Sequence, residues 1–532
     1  MFKRKERLRD RLWRLRGLGF VGFVAALLLL AARASPPRAA PPPPPLGRRF
    51  GPRGAAASPP AAALLEGEQA VHSVVIDAGS TGSRVSVYRF ARGAGGALRL
   101  LNATFSAVKP GLSSYADAPS AAAASLRPLL EAAAGTVTPA EAAGTALSLK
   151  ATAGLRLLPG KKADDILQAV GVVLRESPFL LKPGAVGIMD GAHEGAYAWL
   201  TLNYLLGRLG AGPDATVAAI DLGGGSVQEA FALPEAEAAG APEGYVTAVR
   251  AGPQRYTVYV HSYLGFGLMA ARAKVIESGL NSSSNGSSGN SGSSGGNSSS
   301  GGSGNSTGSG GVSHPCFARG TRLSYSYAGR DYKVDEVIDA GDFKRCAEAA
   351  LKALDHDRDC GGPKGSCSFN GAWRGKPASM RRVYYVSSFF FDRALDAGII
   401  ADPAATEWRT TPKEFARRAA AVCGKDPAEI AAQFELQDAA AAPYFCLDLS
   451  FCHTVLTEGF DLAESDHLTL VKKVEHNGQL IEASWPLGAA IDELSAAAGA
   501  GAAEGRGGGG GPRRLLERLW GTRVEARALA PL

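Results

Sequence analysis

Two aspartates, Asp77 and Asp221, each end an apolar run and open a turn of glycines and hydroxyl residues. The first lies in "VVIDAGSTGSRVSVYRF" and the second in "AAIDLGGGSVQEAFAL", 144 residues further on. Glycines let backbone N–H groups point into a turn and approach an anion without a Cβ in the way. Ser80, Thr81, Ser83 and Ser226 add hydroxyl donors. An aspartate at each strand end can hold a hydrated Ca2+ or Mg2+, hard cations that prefer oxygen. Two such turns facing one another would clamp a polyphosphate from both sides. Either alone reads as readily as an ordinary glycine hairpin. The pair, a domain's length apart, implies duplicated halves.

Two further stretches carry chemistry. In "KATAGLRLLPG" at 150–160, Thr152 and Arg156 are four residues apart, so a helical start places them on one face. Arginine can stabilise a phosphate and threonine can bond an attacking water. In "GIMDGAHEGAYAWLTLNYLLG" at 187–207, Glu194 stands at the start of an apolar helix, where the dipole favours a carboxylate. It reads either as a cap or as a general base.

The elements that must position these groups are strands such as "VHSVVID" and "ATVAAID", with Ala/Leu-rich helices between them. The stretch 118–147 reads as helical, and the chain as mixed α/β. With 532 residues, a prior of about 150 residues per domain allows about three domains.

The net charge of +7 does not point to nucleic acid. Residues 1–16 carry +6 and residues 17–60 carry +5, which leaves the remainder at −4. Residues 1–16 are a basic tail and residues 17–32, "GLGFVGFVAALLLLAA", are uninterruptedly apolar. As a helix they span roughly 24 Å, short of the ~30 Å of an average hydrocarbon core. Such a span suits thin membranes of the early secretory route. The positive-inside rule leaves the tail in the cytosol. The reading is a single-pass type II signal anchor with a lumenal or extracellular body, the Golgi favoured; a cleaved signal peptide is the other reading. Residues 33–70 form a Pro/Ala-rich stem. Residues 281–311 are a Ser/Gly/Asn insertion read as disordered, and 499–532 a flexible tail. Sequons at Asn102, Asn281, Asn285, Asn297 and Asn305 would accept N-glycans in a lumenal body. All seven cysteines lie between 316 and 452, which suits a disulfide framework with one thiol left over.

These stretches together resemble the apyrases, the nucleoside triphosphate diphosphohydrolase family. "YVHSYLGFGLMAAR" at 259–272, "VSSFFFDRALDAG" at 386–398 and "IEASWPLG" at 481–488 extend the resemblance over about 71–498, with spellings similar to plant members. It implies an α/β fold of two RNase H-like (actin/Hsp70-type) lobes with the active site in the cleft between them. Lobe I would take 71–190 and 467–498, and lobe II 191–466. Carried over by position, Asp77 and Asp221 hold Ca2+ or Mg2+ through waters. Ser80, Thr81, Gly82, Gly223, Gly224 and Gly225 cradle phosphates, with Ser83, Arg84 and Arg156 beside them. Thr152, Glu194, Ser226 and Gln228 place and activate a water, with Glu194 as base. The implied activity is hydrolysis of the terminal phosphate of nucleoside tri- or diphosphates. Phe389, Phe390, Phe391 and Trp485 fall near the region that stacks the base, and core packing is the other reading of the phenylalanines. The resemblance also pairs Cys316 with Cys346, Cys360 with Cys367 and Cys423 with Cys446, leaving Cys452.

The sequence departs from that family at His193, Lys150 and Ser86, none of them a proposed catalytic side chain. Competing readings share the fold (an exopolyphosphatase, a sugar kinase, a chaperone ATPase) or keep the binding without the catalysis, as an apyrase-like nucleotide-binding protein. A third reading takes the short anchor, the stem and the D-x-D motifs at Asp355, Asp357 and Asp359 as marks of a glycosyltransferase.

Overall fold

The computed structural model describes residues 63–210, 212–285, 312–334, 336–363, 365–375 and 382–504. The basic tail, the 17–32 anchor, the stem up to residue 62, the insertion from 286, Asn297, Asn305 and the tail beyond 504 lie outside the described residues.

Strands β1 (Gln69–Ala78), β2 (Ser83–Arg92), β3 (Leu98–Val108), β4 (Ala146–Ala151) and β5 (Val186–Ile188) form one sheet, ordered β3-β2-β1-β4-β5. The β1–β2 and β2–β3 pairs are antiparallel, and β4 and β5 are parallel to β1. Val74, Val75 and Ile76 in β1 are at most 1% exposed. An unbroken apolar run suits a central strand covered on both faces.

The second sheet starts from β6 (Ala218–Leu222), β7 (Ser226–Ala232), β8 (Val246–Ala251) and β9 (Gln254–Leu264). Strands Tyr384–Ser388, Glu407–Thr410 and Leu468–Val471 complete it to seven. Around β6 it repeats the first sheet's plan: antiparallel β7 and β9 on one side, parallel Tyr384–Ser388 and Leu468–Val471 on the other. Leu468–Val471 therefore belongs to this larger sheet.

Among the described residues, three cores hold the body. One lies under the first sheet, around Ile76, Leu149 and Ile166. One lies under the second, around Ile220, Phe390 and Phe445. The third is shared, joining Val75 and Phe90 to Trp199, Val258, Trp485 and Ile491. Two helices occupy this shared layer, Gly191–Leu205 and Trp485–Glu504. They cross so closely that a Cβ at Gly488 would collide with the Tyr197 carbonyl oxygen.

The stretch 118–147 is not one helix. It holds three short ones, Pro119–Ala124, Arg127–Ala134 and Pro139–Ala142, before β4 begins at Ala146. Each has a proline in its first turn, where the missing N–H is harmless, so each proline restarts the helix rather than continuing it. The helix Leu268–Asn285 runs past residue 281, and the C-terminal helix reaches Glu504, past 498. Asn102 lies on β3, half-buried.

Disulfides join Cys316–Cys346, Cys360–Cys367 and Cys423–Cys446, and Cys452 is a buried free thiol. Asp359 approaches Cys360 and Cys367, but the disulfide occupies both sulfurs, and Asp357 and Asp359 are exposed. Among the described residues one helical stretch, Ala439–Gly459, is long and apolar enough to cross a membrane, and it is mostly buried in the body.

Candidate active site

The β1–β2 turn closes with the Gly79 N–H donating to the Gly82 carbonyl at 3.0 Å. Register then sets Asp77 opposite Arg84, whose Nη1 lies 3.2 Å from Asp77 Oδ2. Burial pushes the Asp77 carboxyl above its ordinary range, with Arg84 opposing. Asp77 Oδ1 is buried with no hydrogen-bond partner among the described residues, and the same is true of Ser83 Oγ. Ser80 and Thr81 are half-buried at the tip.

The β6–β7 turn is built the same way, the Gly223 N–H donating to the Ser226 carbonyl at 3.0 Å. The helix Leu268–Asn285 backs it: the Leu268 N–H donates to the Gly223 carbonyl and the Met269 N–H to the Gly224 carbonyl, both at 2.9 Å. The carbonyls are thus tied off behind the turn. The two turns meet, for a Cβ on Gly224 would collide with Ser80 Oγ. A methyl there would fit only if the Ser80 hydroxyl swung aside.

Asp221 takes two hydroxyls on Oδ1, from Ser387 at 2.9 Å and from Ser388 at 2.5 Å. Ser387 stands opposite Asp221 in register, and Ser388 holds a φ of 59°, left-handed backbone at the start of the next helix.

Thr152 ends the run after β4, its N–H donating to the Ala78 carbonyl at 3.2 Å, and precedes the single turn Ala153–Arg156. Glu194 lies in the first turn of Gly191–Leu205, capped by Asp190. Arg156 Nη2 is ion-paired with Glu194 Oε2. The Gln228 amide nitrogen lies 2.6 Å from Ser226 Oγ, 3.0 Å from Ser262 Oγ and 3.4 Å from Glu194 Oε2. Burial pushes the Glu194 carboxyl up to about 8; Arg156 opposes this, while Asp221 and Asp77 add to it. A buried carboxyl raised toward neutrality, in a group of polar side chains, is a candidate general base.

The structure therefore brings Asp77, Ser80, Thr152, Arg156, Glu194, Asp221, Gly223–Gly225, Ser226 and Gln228 together where the two turns meet. Arg84 and Arg156 each already pair with a carboxylate there. Phe390 and Phe391 are not brought in: they are 0% and 1% exposed in the second core. Trp485 is buried in the shared core. Of the four proposed stacking residues, Phe389 keeps an accessible face. Ser262, Ser387 and Ser388 are additions; all three lie inside quoted motif stretches but carry no local signal of their own.

The donor set suits a hard divalent cation. Two carboxylates face the cleft, one with a buried oxygen lacking a partner, and hydroxyls surround them.

The GDA1/CD39 (nucleoside phosphatase) family profile matches residues 63–500. The chain belongs to this family. It is 38% identical to an apyrase of Solanum tuberosum over 441 residues, which covers 81% of this chain and 90% of the relative. It is 37% identical to a probable apyrase 2 of Oryza sativa subsp. japonica, covering 92% and 97%. It is 33% identical to the nucleoside diphosphate phosphatase ENTPD5 of Homo sapiens, covering 80% and 88%. The fold resembles a nucleoside triphosphate hydrolase of Neospora caninum, with a TM-score of 0.54 at 15% identity, covering 81% and 93%. The chain is thus a nucleotide phosphohydrolase of the GDA1/CD39 family.

Proposed function

We propose that this family member removes the terminal phosphate of nucleoside tri- and diphosphates by direct attack of a water activated by Glu194. The observation that carries the reading is the cluster Glu194, Gln228 and Ser226 beside two facing aspartate turns. Glu194 takes a proton from the water, whose oxygen bonds to the terminal phosphorus as the bridging P–O bond breaks. The electron pair of that bond leaves with the shortened nucleotide. Gln228, Ser226 and Thr152 orient the water, and the N–H groups of the two turns hold the phosphate oxygens. Asp77 and Asp221 are the residues to hold Ca2+ or Mg2+, which when bound neutralises phosphate charge. Phe389 is the stacking residue of choice for the base. The repeated strand order supports two RNase H-like lobes, and the apolar run 17–32 supports a lumenal or extracellular body on a type II anchor: in the Golgi the substrates would be GDP and UDP, at the cell surface ATP and ADP.

The test is phosphate release from a panel of nucleoside di- and triphosphates by the full-length protein, with Ca2+ and with Mg2+. Release that depends on the added cation is the expected result. No release from any nucleotide with either ion refutes the proposal.

A further inference from the structure

We infer that Tyr327 is a substrate-contacting residue whose hydroxyl donates a hydrogen bond to a phosphate oxygen of the bound nucleotide. The inference rests on the assignment of the cleft as the phosphate site.

Tyr327 ends one arm of a hairpin, Leu323–Tyr327 paired antiparallel with Arg330–Val334. The connecting residues Ala328 and Gly329 have φ of 52° and 75°, the positive pair that a tight two-residue hairpin requires. Side chains two apart in a strand share a face, and Tyr325 and Tyr327 accordingly stack, with ring centroids 6.4 Å apart. The Tyr325 hydroxyl donates to the Met269 carbonyl at 2.7 Å. Met269 is in turn bonded to Gly224. The hairpin is therefore registered to the glycine turn through one residue.

Tyr327 uses that registration differently. Its hydroxyl oxygen is buried and has no hydrogen-bond partner among the described residues. It lies 3.1 Å from the position a Cβ would take on Gly225, on the side where Ala153 and Leu157 also approach. Those two residues follow Thr152 on the opposite wall, so the hydroxyl sits where the two walls meet. Burial pushes the phenol pKa up, so the group stays a donor. A buried donor without an acceptor is costly to the fold, and a phosphate chain cradled by Gly223–Gly225 would supply one. The other side chains of the cleft come from motif stretches, whereas this donor comes from a separate hairpin.

Tyr327→Phe separates this role from a structural one. With no partner among the described residues, removing the hydroxyl should leave the unliganded Tm equal or raise it. The KM for a nucleoside diphosphate should rise about tenfold, corresponding to about 1.4 kcal/mol, while kcat changes by less than about twofold. In thermal unfolding, the stabilisation given by pyrophosphate should shrink in the variant. An unchanged KM in the variant of an active wild type overturns this inference alone. A lower unliganded Tm overturns it by assigning the hydroxyl to the fold. A wild type that releases no phosphate from any nucleotide refutes the parent assignment instead, and the inference falls with it.

Discussion

Replacing Glu194 with glutamine exchanges a titratable group for a neutral group of the same shape. Burial lifts the Glu194 carboxyl from 4.5 to about 8, with Arg156 opposing. The folded protein thus holds this proton more tightly than the unfolded chain does. The stability contributed by that proton is fully present below the unfolded value of 4.5 and is lost as pH rises through about 8. At about 1.4 kcal/mol per pH unit, the whole window is worth on the order of 5 kcal/mol. Glutamine stays neutral throughout and loses none of it. In chelator, Glu194→Gln should therefore gain in Tm relative to wild type between about pH 5 and about pH 9, by on the order of 5 °C for a body this large. Thermal unfolding followed by circular dichroism reads this directly. At saturating nucleotide and with cation restored, turnover should fall roughly 10²–10⁴-fold, while nucleotide still binds. A Tm difference that is the same at both pH values would show that Glu194 does not hold the extra proton. Near-normal turnover would remove it as the base.

Three other outcomes follow from particular contacts. Ser387→Ala with Ser388→Ala leaves Asp221 Oδ1 without its two donors and should weaken cation binding about 10–100-fold by calorimetry, as loss of orienting partners does elsewhere. Gly224→Ala places a methyl against Ser80 Oγ, so the serine must rotate out of its place between the turns, and kcat/KM should fall about 10-fold while Tm moves little; unchanged kinetics would show that the turns need not touch. Cys423→Ser with Cys446→Ser opens a cross-link over a sequence separation of 23 residues and should cost roughly 3 kcal/mol in unfolding free energy, leaving room-temperature turnover intact.

The two aspartate turns were legible in the sequence because their signal is local. A strand that stops at an acid, followed by glycines and hydroxyls, specifies its own turn, and β-pairing then fixes Asp77 and Asp221 at the strand ends. Glu194 was legible for the same reason, since a helix start and an apolar face fall within one short stretch. The phenylalanines were not. "FFF" reads equally as a stacking platform or as core, and only the packing of the helix Phe389–Asp396 buries Phe390 and Phe391 while leaving Phe389 accessible. Trp485 is buried for a similar reason, because its helix fills the layer between the sheets. Ser262 reaches Gln228 from 34 residues away, and Ser387 reaches Asp221 from 166. Such pairs arise from sheet register between distant strands, which no window of sequence contains. The helical character of 118–147 was legible, and Pro119, Pro128 and Pro139 each mark a restart that divides it into three short helices.

The duplicated halves are not equivalent, and the difference bears on the chemistry. Asp77 is deeply buried, already paired with Arg84, and pushed toward its neutral form. Asp221 is half-exposed, makes no ion pair among the described residues, and is held by two neutral hydroxyls that orient it without cancelling its charge. A cation drawn into the cleft therefore meets most uncompensated charge at Asp221, on the second sheet. Glu194, the base we propose, hangs from the shared layer, with Arg156 of the first sheet's side and Gln228 of the second both on its Oε2. A single duplicated turn thus ends in two tasks: one half presents charge to the metal, and the other contributes the arginine that meets the base. Because Glu194 is bonded from both sides, its position depends on the cleft being closed. On the proposed mechanism, the close approach of Gly224 to Ser80 then bears on catalysis as well as on packing.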